Sequence, residues 1–145
     1  MAESFDIRNL SYELNTKIAN LVPLNLVPEE HSTNSTIYAR IGGGILDLDL
    51  FRYTKIKAMD FIAASGTLGT DGIDVRLWDK NNAAEVGVVS FGGVDDDTID
   101  FTNVKNYFSN KSGKIMLEVQ FRKAGPIGPS NIAGATLNIY GVMKL

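Results

Sequence analysis

The sequence predicts an all-β fold: a single antiparallel β-sandwich, jelly-roll-like, preceded by an N-terminal arm. Three observations predict it. From about residue 36 onward apolar residues recur with period two, the alternation of a strand with one buried and one wet face. Clusters of Gly, Asn and Asp separate these runs where strands need turns. No sustained helical stripe interrupts them. A chain of 145 residues has room for one domain with an arm, and buries roughly two-thirds of its unfolded surface on folding.

Residues 1–35 are expected to form the arm and its linker. Ile7, Leu10, Leu14, Ile18 and Leu21 fit a helical stripe, while Leu10, Tyr12, Leu14 and Ile18 also fit a strand, so the type stays open. Leu21, Val22, Leu24, Leu26 and Val27 then crowd apolar side chains into one short segment. Burying each is worth roughly 1.5–3 kcal/mol, so the segment should dock, either on a neighbouring subunit or on its own sandwich. Pro23 and Pro28 lack the N–H of a central strand and suit an edge strand or an extended path. Glu29 to Ser35 reads as a polar linker.

Residues 36–145 carry the sandwich. Ile37, Ala39 and Ile41 alternate with polar neighbours, and Gly42-Gly43-Gly44 reads as a turn. Leu46, Leu48 and Leu50 alternate with Asp47 and Asp49 as in a strand. Between Lys55 and Ala63 the apolar parity switches, which a β-bulge near Ala58 and Met59 or burial on both faces explains. Ile73, Val75 and Leu77 form the next alternating run, and Val86 to Phe91 slips parity between Val88 and Val89. Ile99 to Phe101 is a short piece. Ile115, Leu117, Val119 and Phe121, then Leu137, Ile139 and Met143, complete the set.

The chain offers little catalytic equipment. The lack of cysteine excludes disulfides, cysteine-held zinc, iron–sulfur clusters and a thiol nucleophile. His31, the single histidine, lies in a polar stretch and reads as a surface residue, with no Gly-x-Ser-x-Gly elbow, His-Glu-x-x-His helix or phosphate loop elsewhere. A non-enzymatic protein is therefore expected. Fourteen basic residues against seventeen acidic ones give a net charge of −3, without the basic excess that nucleic-acid binding needs. No apolar run approaches the ~20 residues of a membrane span. The opening residues carry no basic and apolar leader pattern, so cytoplasmic synthesis is expected. The sequons at Asn9, Asn34 and Asn110 then read as chance occurrences in an Asn-rich chain.

Two groups of residues are candidates for binding. Asp95, Asp96, Asp97 and Asp100 sit in a glycine-led loop, with Asp71 and Asp74 around Gly72 in another. Calcium takes such hard oxygens, although the Asp-x-Asp-x-Asp-Gly spacing is absent and Asx turns use the same residues. No other cofactor is suggested. Tyr38, Trp78 and Tyr140 fall on the polar parity of their strands. Aromatics there are covered by the chain's own arm, form a protein interface, or stack on a glycan.

From Tyr53 to Leu145 the strand pattern resembles a recurring β-sandwich module. The pattern runs through Lys55-Ile56-Lys57-Ala58-Met59-Asp60-Phe61, then Gly72-Ile73-Asp74-Val75-Arg76-Leu77-Trp78-Asp79. It continues through Gly113-Lys114-Ile115-Met116-Leu117-Glu118-Val119-Gln120-Phe121 to Ala135-Thr136-Leu137-Asn138-Ile139-Tyr140. It resembles jelly-roll proteins of virus particles and their appendages, and is also similar to carbohydrate-binding modules. The first resemblance implies a structural virion component, in the capsid or an appendage, that works as a homo-oligomer or with other structural proteins. The second implies a glycan- or receptor-binding module. Neither transfers a site residue.

Overall fold

Period-two patterning resolves into two antiparallel sheets in the computed structural model, which describes residues 19–68, 72–125 and 130–143. The strands are β1 (Ala19–Val27), β2 (His31–Thr33), β3 (Ala39–Asp47), β4 (Thr54–Ser65), β5 (Ile73–Asp79), β6 (Ala84–Phe91), β7 (Ile99–Asn103), β8 (Lys114–Lys123) and β9 (Ser130–Met143). A 3₁₀ turn (Leu48–Phe51) and a one-turn helix, α1 (Lys105–Phe108), are the helical pieces among the described residues. One sheet runs β1-β9-β4-β7, with β2 also on β9, and the other runs β3-β8-β5-β6. The pairs β1 with β9, β3 with β8, β4 with β7 and β5 with β6 nest inside one another along the chain. A doubled ribbon wrapped across two sheets is the jelly roll.

The core lies between the sheets. Met59, Phe61 and Ala63 of β4 and Leu137 and Ile139 of β9 point inward from one layer. Ile73, Val75 and Leu77 of β5, with Leu117 and Val119 of β8, meet them from the other. The bulge expected near Ala58 is present, as a register shift between Ile56 and Ala58 against β9. The irregularity in β6 falls at Val86, since Leu77 faces Gly87 while Trp78 faces Glu85.

Three local expectations change. Residues 19–33, assigned to the arm from sequence, belong to the sandwich: β1 pairs with β9 from Ala19 to Val27, and β2 pairs with β9 at Ser130 to Ile132. Leu26 and Val27 are almost fully buried, so apolar density here marks a sheet strand, and Pro23 is accommodated because β1 lies at the end of the strand path. The Gly42-Gly43-Gly44 run is strand, not turn. A Cβ on Gly42 would collide with the Leu26 carbonyl and one on Gly43 with the Leu117 carbonyl, so bare backbone lets β3 pass close to both. Leu48 and Leu50 leave the strand for the 3₁₀ turn, because the Asp47 carboxylate accepts from Asp49 N at 3.1 Å and caps it. The helix-or-strand question over residues 1–18 lies outside the described residues.

Candidate functional site

Each sheet presents one outer face, and the two faces differ in chemistry. On the β3-β8-β5-β6 sheet, Asp74, Arg76 and Trp78 of β5 stand opposite Arg122, Gln120 and Glu118 of β8. The Arg76 guanidinium lies 3.8 Å from the Tyr38 ring centroid and 4.3 Å from that of Trp78, and Arg122 lies 4.3 Å from Tyr38. Arg76 Nε donates to Gln120 Oε1 at 2.8 Å, and Gln120 Nε2 donates to Glu118 Oε2 at 3.1 Å. Arg40 and Lys80 approach Glu118 Oε1 at 3.6 and 3.5 Å, while Arg76 also reaches Glu85 at 3.7 Å. Arg122 Nε donates to Asp74 Oδ2 at 3.2 Å, and Ser90 Oγ donates to Asp74 Oδ1 at 2.8 Å. Burial raises the Tyr38 phenol above its ordinary range, with the nearby Arg122 charge opposing it.

This network brings two of the three sequence-selected aromatics together and leaves the third apart. Tyr38 and Trp78 meet through Arg76, whose guanidinium occupies one face of each ring. Tyr140 belongs to β9 in the other sheet, aligned with Leu21 and Ala58. All three rings are half-buried. Chemically this face is charge-compensated and held by hydrogen bonds across strands.

The outer face of the β1-β9-β4-β7 sheet is apolar toward its β7 side. Ile99 and Phe101 of β7 align with Ala64 and Ile62 of β4, and these in turn with Gly134 and Thr136 of β9. Because Phe61 and Ala63 point into the core, their neighbours Ile62 and Ala64 face outward, and so do Ile99 and Phe101. Ile99 is 74% exposed and Phe101 61%. Beside them a groove of about 350 Å³ runs between Ile99, Ile62, Gly134 and Pro28. Gly134 keeps its floor low, since a Cβ there would reach the Val27 carbonyl at 3.0 Å.

Three of the four acidic candidates spend a carboxylate oxygen on backbone, and Asp100, read from sequence as part of the loop, lies in β7. Asp95 Oδ2 accepts from Gly92 N at 2.8 Å, Asp96 Oδ1 from Leu68 N at 2.9 Å, and Asp100 Oδ1 from Phe101 N at 2.8 Å. Asp97 takes a left-handed conformation, φ 54°, and its N–H donates to the Gly66 carbonyl at 3.2 Å. Among the described residues no three acidic or histidine side chains gather as metal ligands. Asp71 lies outside the described residues. His31, on β2, sets its ring edge-on to Phe121 with centroids 6.5 Å apart. No described helix is long and apolar enough to cross a membrane.

Of the apolar segment singled out from sequence, Leu26 and Val27 are core, Leu24 is half-buried, and Leu21 and Val22 are exposed. Sequence reading missed Ile62, Ile99 and Phe101 as surface residues. Alternation in Ile99-Asp100-Phe101 is visible, but parity alone assigns its apolar side to a core; only its pairing with the outward Ala64 and Ile62 of β4 reverses that.

No protein-family model matches the chain, and no curated protein matches it. Solved structures similar to it come from infectious bursal disease virus. The crystal structure of its VP2 subviral particle shares 10% identity at a TM-score of 0.49, covering 88% of this chain and 33% of that one. The derived T=1 particles share 9% at a TM-score of 0.48, with coverages of 88% and 32%. The Gt strain structure shares 12% at a TM-score of 0.45, with coverages of 86% and 33%. The chain thus spans about a third of the length of these structures.

Proposed function

We propose that this chain is a non-enzymatic structural subunit that assembles with further copies of itself, as a capsid or appendage component of a virus particle. The observation that carries the reading is the outward pair Ile99 and Phe101 beside Ile62, Ala64 and the groove along β9. A contiguous apolar face on a soluble sandwich is a docking surface, and burying one such side chain stabilises a contact by roughly 1.5–3 kcal/mol. The contact is made by the face and not by strand addition at β7, because Asp100 caps the Phe101 N–H and places a charge along the edge. The opposite sheet, with its charges already paired, stays toward solvent.

Light scattering on the full chain tests this. The unaltered protein is expected to run as a closed oligomer, and Ile99→Asp/Phe101→Asp as a folded monomer with an unchanged β-type circular dichroism spectrum. A monomer for the unaltered protein at about 100 μM, a concentration at which a micromolar contact is populated, would overturn self-assembly. Recovery of the chain from purified particles of its source, by mass spectrometry, tests the virion assignment separately.

A further inference from the structure

An apolar channel with one cationic end crosses the sandwich where β4 begins. Its first part is a groove of about 380 Å³ that reaches Ile56 and the buried Met59 and Phe108. Phe51 and Thr54 line this groove and also a second one, of about 370 Å³, which passes Val22, Leu50 and Ile139. Ile139 is 1% exposed there, whereas Val22 at 41% and Leu50 at 76% leave the second groove open to solvent. Charge is divided unequally between the two parts. Lys55, Lys105 and Lys111 line the first with no acidic residue beside them, and no charged residue lines the second.

The three lysines differ from the other cations of the molecule. On the outer face of the β3-β8-β5-β6 sheet, Arg40, Arg76, Lys80 and Arg122 each reach a carboxylate. Lys55, Lys105 and Lys111 are in no ion pair among the described residues, although the whole chain carries a net charge of −3. Lys105 and Lys111 are half-buried, so their apolar stems add to the groove wall. Lys111 Nζ lies 5.0 Å from the Tyr107 ring centroid.

We infer that this channel binds a single-chain amphiphile with an anionic head, a long-chain carboxylate. Its head lies at the lysines, and its chain runs past Phe51 toward Val22 and Ile139. Charge complementarity selects the head, because three cations with no carboxylate among them favour an anion and repel a cation. Size selects the chain. Each groove is near the lower end of the range for small-molecule sites, about 300–1,000 Å³. That is slight for a helix about 10 Å across, whereas an alkyl chain fits along both grooves through the shared Phe51 and Thr54. The polarity fixes the direction, since only one end of the channel is charged. The site is separate from the assembly face, where Ile99 aligns with Ala64 near the other end of β4.

Titration calorimetry on the full chain with dodecanoate, kept below its micelle concentration, tests this. Saturable binding of dodecanoate is expected. Dodecyltrimethylammonium, with the same chain and the opposite charge, should not bind, and neither should butyrate, which has the head without the chain. Equal binding of the two dodecyl probes, or no saturable binding of dodecanoate, would overturn the proposal. Lys105→Glu/Lys111→Glu is expected to weaken dodecanoate binding at least about tenfold, with an unchanged β-type circular dichroism spectrum. Lys114→Glu is the control: Lys114 is exposed at the same end, opposite Asp47, but does not line the groove, so affinity should hold. An equal loss in Lys114→Glu would reveal a diffuse charge effect and count against the site. Amide exchange in the unaltered protein locates the ligand without any variant. Dodecanoate should slow exchange about tenfold at residues 51–56 and 105–111, and unchanged exchange there would overturn the placement. Binding to vesicles of phosphatidylserine and phosphatidylcholine, with none to monomeric dodecanoate, would assign the lysines to a bilayer surface and overturn the proposal as well.

Discussion

Asp79 shows what a single buried group does for this sandwich. It is fully buried at the end of β5, and its carboxylate accepts from Asn82 N at 3.1 Å, Asn82 Nδ2 at 2.7 Å and the Tyr107 hydroxyl at 2.6 Å. These bonds tie the β5–β6 turn to α1. Burial pushes the carboxyl upward, but the donors from Asn82 and Tyr107 outweigh it and hold it below the usual carboxylate range. A depressed folded pKa means stability that is present above the unfolded pKa and lost as pH falls through the folded one. Asp79→Ala is expected to cost about 2–3 kcal/mol at neutral pH, because it orphans the Tyr107 hydroxyl and the Asn82 donors. Urea midpoints measured down the acid range should show a shallower decline in Asp79→Asn than in the parent. Tyr107 moves the other way: burial, then the Asp79 hydrogen bond, push its phenol up to about 12. Its contribution is complete below pH 10.0, the ordinary tyrosine value, and is lost as pH rises toward about 12. Tyr107→Phe should flatten that alkaline slope. None of this triad is legible in sequence, since Asp79 and Tyr107 are joined only by the fold. Gly72 is the contrary case. Its place in a breaker run is plain from sequence, and the structure supplies the reasons: φ of 76° and a Cβ path blocked by the Phe91 carbonyl. Gly72→Ala is expected to lower stability by about 2 kcal/mol or more, read as a shift in urea midpoint.

At the scale of elements, alternation locates β4, β5, β8 and β9 well, because their inward residues are apolar and their outward ones polar or half-exposed. It fails where another force sets the backbone. The Asp47 cap turns a leucine alternation into a 3₁₀ turn, and close passage of β1 and β8 places three glycines inside β3. β1 is the instructive element. Its apolar density signals docking, yet local pattern holds nothing about which strand it docks on; that is settled by β9, more than a hundred residues away. Removing residues 1–30 therefore strips a strand and the nearly buried Leu26 and Val27 from the core, and the truncated chain is expected to lose cooperative unfolding altogether. Leu26→Ala alone should cost about 2–5 kcal/mol by denaturant titration.

For the whole molecule, the sequence reaches as far as a sandwich, and strand order comes only from the nested pairing of distant segments. The chemistry of the two outer faces is hidden too: parity puts Tyr38, Trp78 and Arg76 on the polar side of their strands, but not the Arg76 guanidinium packed on both rings, and the apolar pair on β7 reads as core until its partners on β4 are known. Nested, non-local pairing places this chain among slow folders, in the millisecond-to-second range, and stopped-flow refolding should show it. The position of β9 carries a further consequence for synthesis. Strand β9 lies between β1 and β4 and also holds β2, so three strands from the first half of the chain wait on residues 130–143. At about 5–20 residues per second, β1 leaves the ribosome roughly 5–20 s before its partner exists. During that interval Leu26 and Val27 have no sheet to join. A nascent chain of this design is thus a natural client for holding chaperones, and an interrupted one is marked for disposal by the same bare strand.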